Sequence, residues 1–369
     1  MKIQIPKQEL SSAVNTVKGV VSQKSALPIL SHILMEADNG RLKLTATDLK
    51  VSIECTVDCT VEEAGSLTVS AQRLSMLLNE LPEAEVTIEL QDTSIVLLHC
   101  GLVETRLFSI SPDEFPPVRS FDDIEPIMFK QSVLKKLFMK TSFAISTDQS
   151  RYNLTGLLLE AKSDGLRVVA TDGRRLSLAV SDDIPTDREI KVIIPSKMIH
   201  ELETLLNDDE EQAVKVYLDE SQASFVFDSV RVITSLIEGN FPNYEAVIPK
   251  KQDKEIIASL DGLTQCMRRA YAMTSNQFRN VKLGFAEGLM RITVKTPDVG
   301  EHEDQLSVNY DGEEFEIAFN PLFILDVVRF IESDHVCMQM KDGSSPGVIK
   351  PYTEAPVDSY INVIMPIRS

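Results

Sequence analysis

LKLTATD at Leu42–Asp48, LRVVATD at Leu166–Asp172 and MRITVKT at Met290–Thr296 are three versions of one stretch, each 124 residues after the last. Alternating apolar positions and β-branched residues read as strands. Turn-forming text precedes each: Asp38-Asn39-Gly40, Ser163-Asp164-Gly165 and Ala286-Glu287-Gly288. Upstream of each lies an amphipathic segment: Leu10–Val21, Leu134–Ser146 and Leu263–Ser275. Their apolar residues recur at three- and four-residue steps, as on the packed face of a helix. Downstream, a second helix recurs at 125-residue intervals: Ser70–Pro82, Pro195–Asn207 and Asn320–Glu332. Ser70 and Asn320 suit an N-cap, and Pro195 and Pro321 suit a first helical turn.

The 369 residues thus read as three like domains of about 123 residues. The boundaries are expected near Ile124–Pro126 and Pro249–Asp253, giving domains 1–125, 126–250 and 251–369. The predicted class is α+β, each domain having two helices packed on antiparallel sheets.

The chain carries 56 acidic and 37 basic residues, a formal net charge of −19. A uniformly acidic surface repels DNA phosphates, so a DNA-binding role requires the cations to be segregated. They are unevenly spread. The three domain-opening segments hold Lys18, then Lys135, Lys136 and Lys140, then Arg268 and Arg269, and no acid. The second helices add Arg73, Lys197 and Arg329 among several carboxylates. Taken singly, these are the solvated faces of surface helices. Taken with the repeat, they predict six helices lining one cationic surface. A helix of 12 residues is about 18 Å long and would bridge phosphates across a groove. Contacts of that kind carry no sequence information and are sensitive to salt.

Five scattered cysteines argue against a disulfide framework and predict a reducing, cytoplasmic setting. Cys55 and Cys59 read as core thiols on one strand face. There is no signal-like apolar run and no apolar stretch of membrane-spanning length. Phosphate loops, dinucleotide fingerprints, HExxH, GxSxG and CxxC are all absent, so no catalytic residue, cofactor or metal is expected. Asp48 and Asp172 recur in Thr-Asp pairs and read as turn closers rather than a carboxylate dyad. Two rivals stand beside a DNA-binding role. One is a peptide-binding scaffold without DNA; the other is a hydrolase using Asp48 or Asp172 with a histidine.

Seven motifs in order carry a resemblance: LPIL (Leu27–Leu30), LTATDLKVSIE (Leu44–Glu54), RYNLTGLLLE (Arg151–Glu160), VATDGRRLSLA (Val169–Ala179), FPNYEAVIP (Phe241–Pro249), SNQFRNVKL (Ser275–Leu283) and VIMPIRS (Val363–Ser369). Together they resemble, from end to end, the bacterial replicative sliding-clamp family, the beta subunit of DNA polymerase III. The resemblance implies a non-enzymatic processivity factor. Its partners would be double-stranded DNA, the replicative polymerase, clamp-loader subunits and other clamp-binding proteins. It implies a head-to-tail dimeric ring, with Ala272 and Met273 matching interface positions. It also implies a peptide groove at Leu154, Thr171, Gly173, Arg174, Arg175, Leu176, Pro242, Val247, Phe323, Val363, Met365, Pro366, Ile367 and Arg368. Within that groove, Arg175 and Arg368 are expected to anchor backbone or acidic groups of a peptide. Lys24, Arg73, Gln149, Arg151, Tyr152 and Lys197 fall in segments that match DNA-facing loops and helices. Four departures bear on peptide preference: Arg174 where His is frequent, Ala246 where a base can occur, Phe323 where Tyr can occur, and Ser369 where a large apolar residue is common.

Overall fold

The computed structural model describes residues 1–21, 26–92, 94–121, 123–162, 165–182, 189–353 and 359–367. Among these residues the six α-helices are α1 (Lys7–Lys18), α2 (Ala71–Glu80), α3 (Gln131–Met139), α4 (Ser196–Leu205), α5 (Leu260–Ala272) and α6 (Pro321–Val328). On α1, Leu10, Ala13, Val14 and Val17 are buried; on α5, Leu263, Cys266, Met267 and Ala270 are. These are the expected faces, at one shared spacing. Ser70 caps α2 by accepting from Arg73 N, and Asn320 caps α6 by accepting from Leu322 N.

Some expectations need correction. Helices α1 and α5 begin three residues earlier than read, taking in Glu9 and Asp261. The opening helices are therefore not free of acids. Both acids sit in a first turn, where the helix dipole favours negative charge. Helix α3 stops at Met139, short of Ser146. The Thr141 hydroxyl donates to the carbonyls of Leu137 and Phe138, a local bond that competes with helix continuation. Pro195 ends the strand Ile190–Pro195 and lies outside α4. Cys55 is buried, but Cys59 is only half-buried, because the strand Val51–Asp58 ends before it.

The chain forms two compact units, Met1–Ser132 with Lys197–Leu236, and Val133–Ser196 with Ile237–Ser369. Neither corresponds to whole repeats, and strand pairing gives the reason. The first unit contains a five-stranded sheet drawn from the first repeat. It also contains an eight-stranded sheet with four strands from each of the first two repeats. The join is antiparallel, pairing Val230 with Cys55 and Ile233 with Ser52. In the second unit a twelve-stranded sheet takes four strands from the second repeat and eight from the third. There the join pairs Leu176 with Val363 and Leu178 with Ile361. Each join satisfies the backbone groups of two strands that would otherwise be exposed edges.

In the first unit α1 packs on α2 and on the strands Arg41–Thr47 and Val51–Asp58. In the second, α5 packs on α6 and on the strands Leu289–Thr296 and Gly300–Asn309. Among the described residues no helix is long and apolar enough to cross a membrane.

Candidate peptide groove and cationic helices

The second unit holds a turn built by its own sequence. Asp172 Oδ1 accepts from the backbone N–H of Arg174 and Arg175, at 2.8 and 3.0 Å. Thr171 Oγ1 accepts from Gly173 N and donates to Arg175 O. Gly173 sits at φ +83°, in the left-handed region. A Cβ there would also lie 2.5 Å from Arg151 Nη1, which donates to Asp172 O. The same bonds recur at Thr47–Val51, where Asp48 Oδ1 accepts from Lys50 and Val51 and Thr47 Oγ1 donates to Val51 O. The repeated Thr-Asp pair is thus a repeated turn, as read.

After the turn, the strand Arg175–Ser181 pairs with Tyr360–Ile364, and Met365 N donates to Arg174 O at 2.8 Å. Ile367 N donates to Ala318 O. The C-terminal stretch is thereby stitched against the turn. A third wall comes from the loop 241–247. Its Tyr244 hydroxyl donates to Glu160 Oε2 at 2.8 Å, with Tyr244 5% and Glu160 4% exposed. Burial pushes the Glu160 carboxyl up, but Tyr244, Lys162 and Lys191 together outweigh it and leave it below the usual value. Burial and that carboxylate raise the Tyr244 phenol.

These walls enclose an apolar pocket of about 140 Å³. Leu154, Thr171, Gly173, Arg175, Leu176, Pro242, Val247, Val363 and Met365 line it, all of them expected. Tyr244 lines it too, and sequence reasoning missed it. An adjoining cavity of about 810 Å³ shares Arg175 and Met365, and Arg174, Phe323, Pro366 and Ile367 also line it. The thirteen described groove residues thus fall on two adjoining cavities. Arg368 lies outside the described residues.

Arg175 plays a different part from the one expected. Its guanidinium donates to Asp172, Asp326 and the Phe143 carbonyl. It also lies over the rings of Phe323 and Phe143, at 4.4 and 5.3 Å. Its charge is already matched by carboxylates, so it braces the wall between the cavities rather than standing ready for a peptide. Nothing in the text around Arg175 announced Asp326 or Phe143 as its partners.

The expected DNA-facing residues are spread over both units. In the first, Lys197 Nζ donates to Val20 O and to Asp48 Oδ2, tying α4 to the Thr47–Val51 turn. Arg73 is exposed on α2. Lys24 lies outside the described residues. In the second, Lys136 and Lys140 both approach Glu332, at 2.8 and 3.9 Å, and Lys135 is half-buried on the same helix. Burial, the largest influence, lowers the Lys140 ammonium below its usual value. Arg269 pairs with Asp304 at 2.6 Å, and Arg268 is exposed beside it. Gln149, Arg151 and Tyr152 are exposed in the segment Gln149–Leu154, which is capped by Asp148 and kinks at Arg151.

Of the expected interface residues, Ala272 is exposed. Met273 is half-buried, and its carbonyl accepts from Thr296 Oγ1. An apolar edge absent from the sequence reading lies in the first unit. The strand Val103–Phe108 ends its sheet, with Phe108 82% exposed and Leu102 fully exposed beside it. In the sequence, Leu102 and Phe108 at the two ends of a short strand-like run were the available signal.

Models of the DNA polymerase III beta subunit match this chain over its N-terminal domain (residues 1–119), central domain (128–243) and C-terminal domain (245–368). It is 32% identical to the beta sliding clamp of Chlamydia muridarum, covering 100% of this chain and 99% of that protein. Against the beta sliding clamp of Vibrio cholerae it is 31% identical, with full coverage of both. The crystal structure of the DNA polymerase sliding clamp from Bacillus subtilis superposes with a TM-score of 0.95 at 29% identity, covering 100% of this chain and 99% of that one. That of the Pseudomonas aeruginosa DNA polymerase III subunit beta gives 0.93 at 30%, with full coverage of both. Three family domains in order, relatives matched along their whole length and the shared fold place this chain in the DNA polymerase III beta subunit family, the beta sliding clamps.

Proposed function

We propose that this protein is a DNA sliding clamp, with domains at 1–125, 126–250 and 251–369. Two copies close head to tail into a ring around duplex DNA in the bacterial cytoplasm. The ring tethers the replicative polymerase and accepts clamp-loader subunits and other replication and repair proteins through the groove in the second unit. It is a processivity factor and catalyses nothing itself. The observation that carries this reading is the end-to-end family match, and the cavities add a physical reason. A small apolar pocket holds a side chain, while an adjoining larger cavity of mixed polar and apolar lining leaves room for the rest of a short peptide.

The residues proposed to face DNA are the cations Lys24, Arg73, Lys135, Lys136, Lys140, Arg151, Lys197, Arg268 and Arg269, together with the neutral Gln149 and Tyr152. Several already have a carboxylate neighbour, which softens their field. That suits a grip which topology maintains and which leaves the ring free to slide. Ala272 and Met273 are proposed to meet the exposed edge around Phe108 of the second copy, covering an otherwise open strand.

The test is loading onto nicked circular DNA followed by gel filtration. Retention on the circle and loss on linearisation is the expected result. Equal retention on both forms would refute encirclement. The net charge of −19 alone favours a scaffold that binds peptides without DNA. Charge reversal at Lys135, Lys136, Lys140, Arg268 and Arg269 separates the two, because unaltered DNA loading would favour the scaffold.

A further inference from the structure

Carboxylates already hold several cations on the helices proposed to face DNA, and they differ in what else they do. Beside α4, Asp48 Oδ2 holds Lys197 while its other oxygen accepts from the backbone N–H of Lys50 and Val51. Beside α5, Asp304 Oδ2 holds Arg269 while its other oxygen accepts from Gln305 N. These two side chains are 17% and 19% exposed, and each is fixed to its own backbone. Glu332, which follows α6, has no such duty. It is 66% exposed, and its two oxygens lie 2.8 and 2.9 Å from Lys136 Nζ on α3, with Lys140 Nζ at 3.9 Å. Among the described residues its carboxylate has no other polar partner. The Lys136 bond, helped by both ammonium charges, holds the Glu332 carboxyl below its usual value, so it is ionised at neutral pH.

We propose that Glu332 is a built-in competitor for DNA phosphate on α3. The proposal rests on the reading that this helix faces DNA, and it adds the residue that sets how weak the grip is. While Glu332 holds Lys136, that lysine neutralises no phosphate and releases no counterion from DNA. A phosphate gains Lys136 only by displacing a carboxylate, so one anion is exchanged for another at little net gain. The exchange is easy, because an exposed carboxylate–ammonium pair is worth little and is screened by salt. Glu332 is tethered only by its own flexible stem, whereas Asp48 and Asp304 are pinned by their backbone bonds. The helix can thus lie along the phosphates without closing on them, as sliding requires.

The test uses the intact protein, a fluorescein-labelled linear duplex and fluorescence polarisation over a series of salt concentrations. Glu332→Gln is expected to bind the duplex about 3- to 10-fold more tightly at low salt. The slope of log affinity against log salt should steepen by about 1, as one added phosphate contact requires. Glu314→Gln removes the same charge from an exposed residue that has no ion pair among the described residues, and should leave the slope unchanged. In the Glu332→Gln background, Lys136→Gln should restore the original slope, which assigns the gain to that lysine. Equal gains from Glu332→Gln and Glu314→Gln, or a gain that survives Lys136→Gln, would overturn the inference. So would an unaltered affinity in Glu332→Gln, which leaves the DNA-facing reading standing where the unaltered protein binds the duplex. Absence of binding at low salt by the unaltered protein and every variant overturns that reading, and the inference with it.

Discussion

Removing the Tyr244 hydroxyl with Tyr244→Phe leaves the ring in place and takes away one bond. Its partner, Glu160 Oε2, is in a side chain only 4% exposed, and water has little access to replace the donor. A hydrogen bond to an ionised group is worth roughly 1.5–3 kcal/mol. Lys162 at 3.3 Å and Lys191 at 3.8 Å still hold the carboxylate after the change. That puts the expected loss toward the low end, about 2 kcal/mol. Glu160→Gln keeps an acceptor for Tyr244 but discards the charge, and should cost about 1 kcal/mol. The double variant should show a coupling of about 1 kcal/mol. The chain has no tryptophan, so unfolding in urea is best followed by far-ultraviolet circular dichroism. The pH dependence has a definite sign. The folded Glu160 pKa lies below the ordinary 4.5, so its stabilisation is full above 4.5 and is lost as pH falls further through the folded value. The gap between unaltered protein and Tyr244→Phe should therefore narrow in acid. Coincident urea curves at pH 7, or a gap that widens in acid, would refute the account.

Gly173→Ala should cost about 1 kcal/mol, because φ +83° is a left-handed conformation that disfavours a Cβ. It should also displace Arg151 and weaken peptide binding, read by thermal melting and by polarisation. Asp342 accepts from the Ser344 and Ser345 backbone and hydroxyl groups, which draw its carboxyl down to about 2. Its contribution should be complete above 3.8 and vanish as pH falls toward about 2, and carboxyl NMR titration would check the midpoint. Phe108→Asp should shift the protein toward monomer in sedimentation while leaving its circular dichroism unchanged, since this side chain is 82% exposed. An unaltered dimer would remove that edge from the interface.

Several features were legible because they are local. The apolar spacing fixed the buried faces of α1 and α5, Ser70 and Asn320 announced their caps, and the Thr-Asp pairs announced matching turns. Each depends on residues within a turn or two of one another. The helix starts were misread because the apolar face begins after the first turn, where Glu9 and Asp261 sit. The groove residues were named through family resemblance, not through any local rule.

The sequence by itself determined the threefold repeat, its two helices per repeat and its turns, since periodicity and capping are properties of short stretches. Only the tertiary structure decided which strands pair, bringing Leu176 beside Val363 and Val230 beside Cys55. It alone decided that Arg175 is spent on Asp172 and Asp326 and that Lys136 meets Glu332. Pairing between distant strands is won by burial and by satisfying edge groups over the whole sheet, a sum that no local window contains. The neutralisation of a charge likewise depends on what the fold sets within a few ångströms of it.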